Sequence, residues 1–157
     1  MKKKIAILGS TGSIGKSTLD IINKDKKNFD VILLTANNNY KKLIQQAKQF
    51  KAKNVLIKND KFYLKVKNSL KETKVYSGDI SIKKIYSKKL DYTMSAVVGL
   101  AGLQPTIDAI KISKTVAIAN KETIICGWSI LSKLIKQYKT QILPVDSEHF
   151  SIMELTK

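Results

Sequence analysis

The sequence contains no arginine; all 29 of its basic residues are lysine, set against 12 acids and one histidine. A net charge of +17 ordinarily points to a polyanionic partner. Dedicated readers of phosphates and bases favour the arginine fork, which binds two oxygens at once. Without arginine, and with lysines spread from end to end, biased lysine usage is the plainer reading. No specific nucleic-acid partner is expected, and non-specific attraction to polyanions is the alternative. The single cysteine, Cys126, excludes an internal disulfide and fits a reducing cytosol, so a cytoplasmic protein is expected, or one of a plastid-type organelle. Cys126 reads as a small buried hydrophobe rather than a nucleophile. No apolar run reaches about 18 residues, so no membrane span is expected. The basic start Met1-Lys2-Lys3-Lys4 looks like a signal n-region, but the apolar run behind it is too short for a signal peptide.

Glycine is also scarce, with seven in the chain, yet three fall together in Gly9-Ser10-Thr11-Gly12-Ser13-Ile14-Gly15. Ile5-Ala6-Ile7-Leu8 precedes this stretch and an amphipathic segment follows, which makes strand, tight turn, helix. Such a turn lets a diphosphate approach the backbone, and the free N–H groups opening the helix face its charge. The hydroxyls of Ser10, Thr11 and Ser13 are further candidate donors. Gly15-Lys16-Ser17 also resembles the end of a P-loop, although that pattern needs glycine where Ser10 stands. A structural turn without a ligand is the remaining alternative.

Hydrophobic residues make up 43% of the chain, enough for one domain with a sizeable core. Ile14, Thr18, Ile21 and Ile22 predict a helix over 13–23 with that stripe on a sheet. Residues 31–36 read as a strand buried on both faces, ending in Asn37-Asn38-Asn39. NAD-binding domains usually carry an acid at that strand end, and here there is none, which favours NADP. Further strands are expected at 54–57, 74–76, 92–98, 115–119 and 141–145, and further helices around Leu43, Val66, Ile107 and Ile124, with a weakly patterned one over 81–88. Ile124, Trp128, Leu131 and Ile135 read as one core stripe. The alternation predicts an α/β, Rossmann-like, doubly wound and mostly parallel sheet with helices on both faces.

The expected 115–119 strand delivers Asn120-Lys121-Glu122 to the same sheet edge as the glycine turn. The 141–145 strand delivers Asp146-Ser147-Glu148-His149. Asp146 and Glu148, two apart in an extended segment, project to one side, and two hard oxygens there suit Mg²⁺ or Mn²⁺. Capping a terminal helix or pairing with lysines is the competing reading. His149 reads equally as a ligand or a structural hydrogen-bonder.

Gly9 to Gly15 with Ser17-Thr18-Leu19-Asp20, then Ala119-Asn120-Lys121-Glu122, then Leu143-Pro144-Val145-Asp146-Ser147-Glu148-His149 together resemble the 1-deoxy-D-xylulose 5-phosphate reductoisomerase family. The likeness runs the length of the chain. It implies NADPH as cofactor, Mg²⁺ or Mn²⁺ as metal, and a phosphorylated sugar as substrate, isomerised and reduced to 2-C-methyl-D-erythritol 4-phosphate in non-mevalonate isoprenoid synthesis. It places Thr11, Gly12, Ser13 and Ile14 on the cofactor diphosphate, Asn39 by the adenosine ribose, and Asn120 and Glu122 near the nicotinamide. It makes Lys121 and Glu148 catalytic, puts Lys121, Ser147 and Glu148 on substrate, and gives the metal to Asp146 and Glu148. Family members often carry glycine and a basic or small residue where this chain has Asn37 and Asn38. They are also longer and form homodimers. The resemblance therefore implies an NADPH-binding domain over 1–145, the start of a catalytic domain over 146–157, weak NADPH binding and no turnover by this chain alone. Another NADP-dependent Rossmann dehydrogenase, a P-loop hydrolase or a lysine-rich nucleic-acid binder are the alternatives.

Overall fold

The computed structural model describes residues 1–145, so Asp146, Ser147, Glu148 and His149 fall outside the described residues with the rest of 146–157. Seven strands, β1 (Lys3–Leu8), β2 (Phe29–Ala36), β3 (Asn54–Ile57), β4 (Lys74–Ser77), β5 (Leu90–Ser95), β6 (Ser113–Ile118) and β7 (Gln141–Pro144), form one sheet. Its order is β4-β3-β2-β1-β5-β6-β7, and every pairing is parallel. Between the strands run α1 (Ser13–Lys24), α2 (Tyr40–Phe50), α3 (Tyr63–Ser69), α4 (Ile82–Ile85), α5 (Leu103–Ile112) and α6 (Lys121–Tyr138). The chain winds outward from β1 to β4, returns to β5 beside β1, and winds out again to β7. The reversal point lies between β1 and β5, the place where doubly wound sheets open a crevice at their C-terminal edge.

Two apolar layers sandwich the sheet. Ile5 and Ile7 of β1 pack with Leu19 and Ile22 of α1, Leu43 and Ala47 of α2, and Val66 of α3. Ala6 and Leu8 point the other way, to Ile85 of α4, Ile110 of α5 and Leu131 of α6. This is the period of two expected of a strand covered on both faces. β2 breaks that period. Ile5 pairs with Val31 and Ala6 with Leu33, so Ile32 is an extra residue and shares a face with Leu33.

The inward face of α1 differs from the expected stripe. Gly15, Thr18, Leu19 and Ile22 are buried, while Ile14 is partly exposed and Ile21 is 66% exposed. Gly15 causes this, because it lies against the backbone of Gly9 and Ser10 and sets the helix rotation from its first turn. On α6, Thr123, Gly127 and Leu131 face inward, with Leu103 of α5 seated against Gly127. Ile124 and Ile135 still pack on the core, but Trp128 is 56% exposed and Cys126 is exposed as well, against the burial expected of both. A helix rotated to bring a glycine against its neighbour turns the flanking positions outward. β5 begins two residues earlier than expected and stops at Ser95, since the carbonyls of Val97 and Gly99 go to a side chain instead of the ladder. The weak 81–88 pattern holds only the single turn of α4.

At the opposite sheet edge, Asp91 of β5 accepts from the Lys4 amide at 2.9 Å and from Lys114 Nζ at 2.7 Å. The Lys114 bond, with the Lys4 amide second, holds its carboxyl below the ordinary value of 3.8 against a smaller opposing push from burial. A lowered folded value means the contribution is complete above the ordinary value and is lost as pH falls through the lowered one. The Asp91→Asn variant is expected to lose under about 1 kcal/mol at neutral pH and nothing further on acidification. Urea midpoints of both proteins across the acid range should therefore converge as pH falls.

Candidate cofactor-binding cleft

The end of β1 enters the turn through Gly9, whose φ of +80° is a glycine conformation. A Cβ there would also sit 2.7 Å from the Ala96 carbonyl oxygen. The Gly12 amide donates to the Gly9 carbonyl at 3.1 Å and closes the turn. Gly12 then takes the position before α1, and no side chain caps the helix and no acid lies in its first turn. The opening amides of α1 are thus left for a ligand, with the positive end of the helix dipole behind them. A Cβ on Gly12 would touch only the Gly9 carbonyl, at 3.4 Å, so its outer side is open.

Gly12, Ser13 and Ile14 form one wall of a cleft. Ala96, Val97 and Val98, following β5, and Ala119, Asn120 and Glu122, at the end of β6, form the rest. Two segments read separately from the sequence therefore face each other across the β1/β5 reversal point. Thr11 is half-buried in the turn, and Lys121, the first residue of α6, projects into solvent beside the cleft.

Asn120 is buried and its amide is committed within the protein. Nδ2 donates to the Val97 carbonyl at 2.6 Å and the Gly99 carbonyl at 2.7 Å, and Oδ1 accepts from the Thr123 amide at 3.0 Å. Its side-chain donors are spent on the cleft wall and its oxygen accepts at the α6 cap, leaving its backbone and one oxygen lone pair for a ligand. Ser10 corrects a reading of the turn. It is 0% exposed and its hydroxyl donates to Gln46 of α2, so it is no phosphate donor.

The other end of the cleft's sheet edge is the β2 terminus. Asn39 caps α2 by accepting from the Lys42 amide at 3.1 Å, and Asn38 accepts from Asn59 Nδ2 at 2.8 Å. Tyr40 stacks on Phe62 with centroids 4.6 Å apart, with Lys65 over both rings. No acid stands at this strand end, and Asp30 pairs with Lys53 at the opposite one. Among the described residues no group of three or more His, Cys, Asp or Glu side chains is placed to hold a metal. Asp146, Ser147 and Glu148 lie outside those residues. The Val145 amide donates to the Ile118 carbonyl, so the chain leaves β7 alongside the end of β6.

Sequence reasoning missed Thr35 and Gln46. The Thr35 hydroxyl accepts from the Gly9 amide and its carbonyl accepts from the Ser10 amide, both at 2.9 Å. The available signals were a hydroxyl near the end of an apolar strand and a glutamine on the inward face between Leu43 and Ala47.

A parallel sheet reversing between β1 and β5, with a glycine turn and an uncapped helix at the crevice, defines a Rossmann-type dinucleotide-binding domain. The sequence profile of 1-deoxy-D-xylulose 5-phosphate reductoisomerase matches residues 5–127. The chain belongs to that family. It is 54% identical to the Pelagibacter ubique 1-deoxy-D-xylulose 5-phosphate reductoisomerase, a match covering 98% of this chain and 40% of that protein. The structure of the Zymomonas mobilis enzyme in complex with NADPH superposes with a TM-score of 0.89 at 38% identity, covering 95% of this chain and 40% of that one. A reductoisomerase complex with NADPH, fosmidomycin and magnesium gives 0.86 at 33%, covering 94% of this chain and 37% of that one. The chain spans about 40% of the length of the curated relatives it matches.

Proposed function

We propose that residues 1–145 form the NADPH-binding part of a 1-deoxy-D-xylulose 5-phosphate reductoisomerase, a metal-dependent oxidoreductase of isoprenoid synthesis. The observation that carries this reading is the uncapped start of α1 at an open glycine turn, facing Asn120 and Glu122 across one cleft. Thr11, Gly12, Ser13 and Ile14 hold the cofactor diphosphate, Thr11, Ser13 and Ile14 through their amides and Gly12 by leaving its outer side open, and Asn39 lies by the adenosine ribose. The acid-free end of β2 accepts a 2′-phosphate without charge repulsion, with exposed Lys41 and half-buried Lys42 in the first turn of α2 to offset it. Bound NADPH supplies a hydride. Asn120 holds the backbone of Val97 and Gly99 as the wall beside the nicotinamide end, and Glu122 contacts the cofactor there. Lys121 supplies a positive charge for the phosphorylated substrate. Asp146 and Glu148 offer the hard oxygens that Mg²⁺ or Mn²⁺ takes, with Ser147 and Glu148 also on substrate. Two carboxylates do not complete either cation's shell, so substrate oxygens and water are the remaining donors.

Fluorescence titration of the purified chain with NADPH and NADH checks the cofactor reading. NADPH is expected to saturate and to bind about tenfold more tightly than NADH, one charge contact's worth. Equal affinities would remove the 2′-phosphate argument, and no saturation with either would remove the cofactor reading.

A further inference from the structure

Gln46 stands 36 residues from Ser10, yet the two side chains meet by a pair of bonds. Ser10 Oγ donates to Gln46 Oε1 at 2.8 Å, and Gln46 Nε2 donates to the Ser10 carbonyl at 2.8 Å. Gln46 is 3% exposed, and its helix neighbours Leu43 and Ala47 belong to the apolar core. A primary amide in such a place is costly unless its donor and acceptor are both met. Here they are met by the acceptor and donor of one turn residue.

The peptide plane makes this pairing consequential. The Ser10 carbonyl and the Thr11 amide share one rigid trans unit and point in opposite directions. Holding the carbonyl towards α2 therefore aims the Thr11 N–H away from α2. On the other side of Ser10, its amide and that of Gly9 are held by Thr35 of β2. The turn is thus clamped between β2 and α2, with its next N–H turned outward.

We propose that Gln46 is a positioning residue for the diphosphate turn: its side-chain amide orients the Ser10–Thr11 peptide so that the Thr11 N–H meets a dinucleotide phosphate. The proposal rests on the cofactor reading of the cleft. A leucine or methionine would fill the same space in the core but leave the Ser10 carbonyl unpaired, the Ser10 hydroxyl with only the Thr35 carbonyl at 3.3 Å, and the Ser10–Thr11 peptide unheld on the α2 side.

Two variants of the chain test this, with NADP⁺ as the probe. Gln46→Met keeps length and volume and is expected to weaken NADP⁺ binding about tenfold at every pH. Gln46→Glu accepts from Ser10 when ionised but cannot donate; when protonated it does both. Burial favours its protonated form, and Ser10, its bonding partner, does not titrate. The ratio of variant to parent affinity, which cancels the nucleotide's own titration, should therefore recover as pH falls from about 8 to about 6 for Gln46→Glu and stay flat for Gln46→Met. Parent-like binding by Gln46→Met, or a deficit in Gln46→Glu that ignores pH, overturns the proposal. Amide hydrogen exchange reads the clamp without any ligand. The Ser10 amide should exchange at least about tenfold faster in Gln46→Met than in the parent. An unchanged rate overturns the proposal even if the parent binds no nucleotide, an outcome that by itself counts only against the cofactor reading.

Discussion

The Gly15→Ala substitution is expected to destabilise the chain by about 3 kcal/mol and to abolish measurable NADPH binding. Intrinsic preference argues the other way, since alanine in a helix gains about 1 kcal/mol over glycine. The contacts decide it. A Cβ on Gly15 would lie 2.6 Å from Ser10 Cα and 2.7 Å from the Ser10 carbonyl carbon, and closer still to the Gly9 carbonyl oxygen. All three are backbone atoms of a turn clamped by Thr35 and Gln46, so none gives way cheaply. Either α1 lifts off the turn and loses the packing of Leu19 and Ile22, or the turn distorts and its amides lose their aim. Gly12→Ala is the informative partner. Its φ is −74°, and its Cβ would meet only the Gly9 carbonyl at 3.4 Å. Stability should stay within about 1 kcal/mol, the difference between glycine and alanine before a helix. The new methyl nevertheless stands on the open side where a diphosphate approaches, so binding should fall at least about tenfold. Thermal unfolding with and without NADPH separates the two outcomes. Equal stability losses in both variants would show that the turn's open side had been misassigned.

The doubly wound sheet was legible because its signals are local: apolar runs with a period of two, and turns that punctuate them. The two facing cleft segments were legible because parallel strands deliver their ends to one edge. What escaped reading depends on rotation and pairing between distant segments. Ile21 and Trp128 are apolar at helical spacing, yet Gly15 and Gly127 turn them outward, and the neighbour that a glycine meets is invisible along the chain. The bulge at Ile32 needs β1 as its reference, so the run 31–36 alone could not show it. Ser10 looked like a phosphate donor because its partner, Gln46, lies a strand and a helix away. The paired acids Asp146 and Glu148 were legible as a pattern, but they lie outside the described residues.

Asn120→Ala is expected to cost about 3 kcal/mol and to lower the midpoint of thermal unfolding by roughly 10 °C. The loss has three parts: the Thr123 amide loses its cap, and the carbonyls of Val97 and Gly99 lose their donors. A cap alone accounts for about 1 kcal/mol, and the two carbonyls, left in a partly buried wall, account for the remainder. Asn120→Asp separates these parts. Aspartate still accepts from Thr123 and suits the positive end of α6, so a residue that served only as a cap would tolerate it. The second carboxylate oxygen, however, would stand where Nδ2 now lies, against two carbonyl oxygens. At neutral pH that repulsion should make Asn120→Asp at least as unstable as Asn120→Ala, and protonation at lower pH should recover part of the loss by restoring one donor. A parent-like midpoint for Asn120→Asp at neutral pH would reduce Asn120 to a helix cap. The cost at neutral pH, together with its recovery on acidification, instead makes one side chain the tie between β5 and β6 that keeps the Val97–Gly99 wall at a fixed distance from the glycine turn.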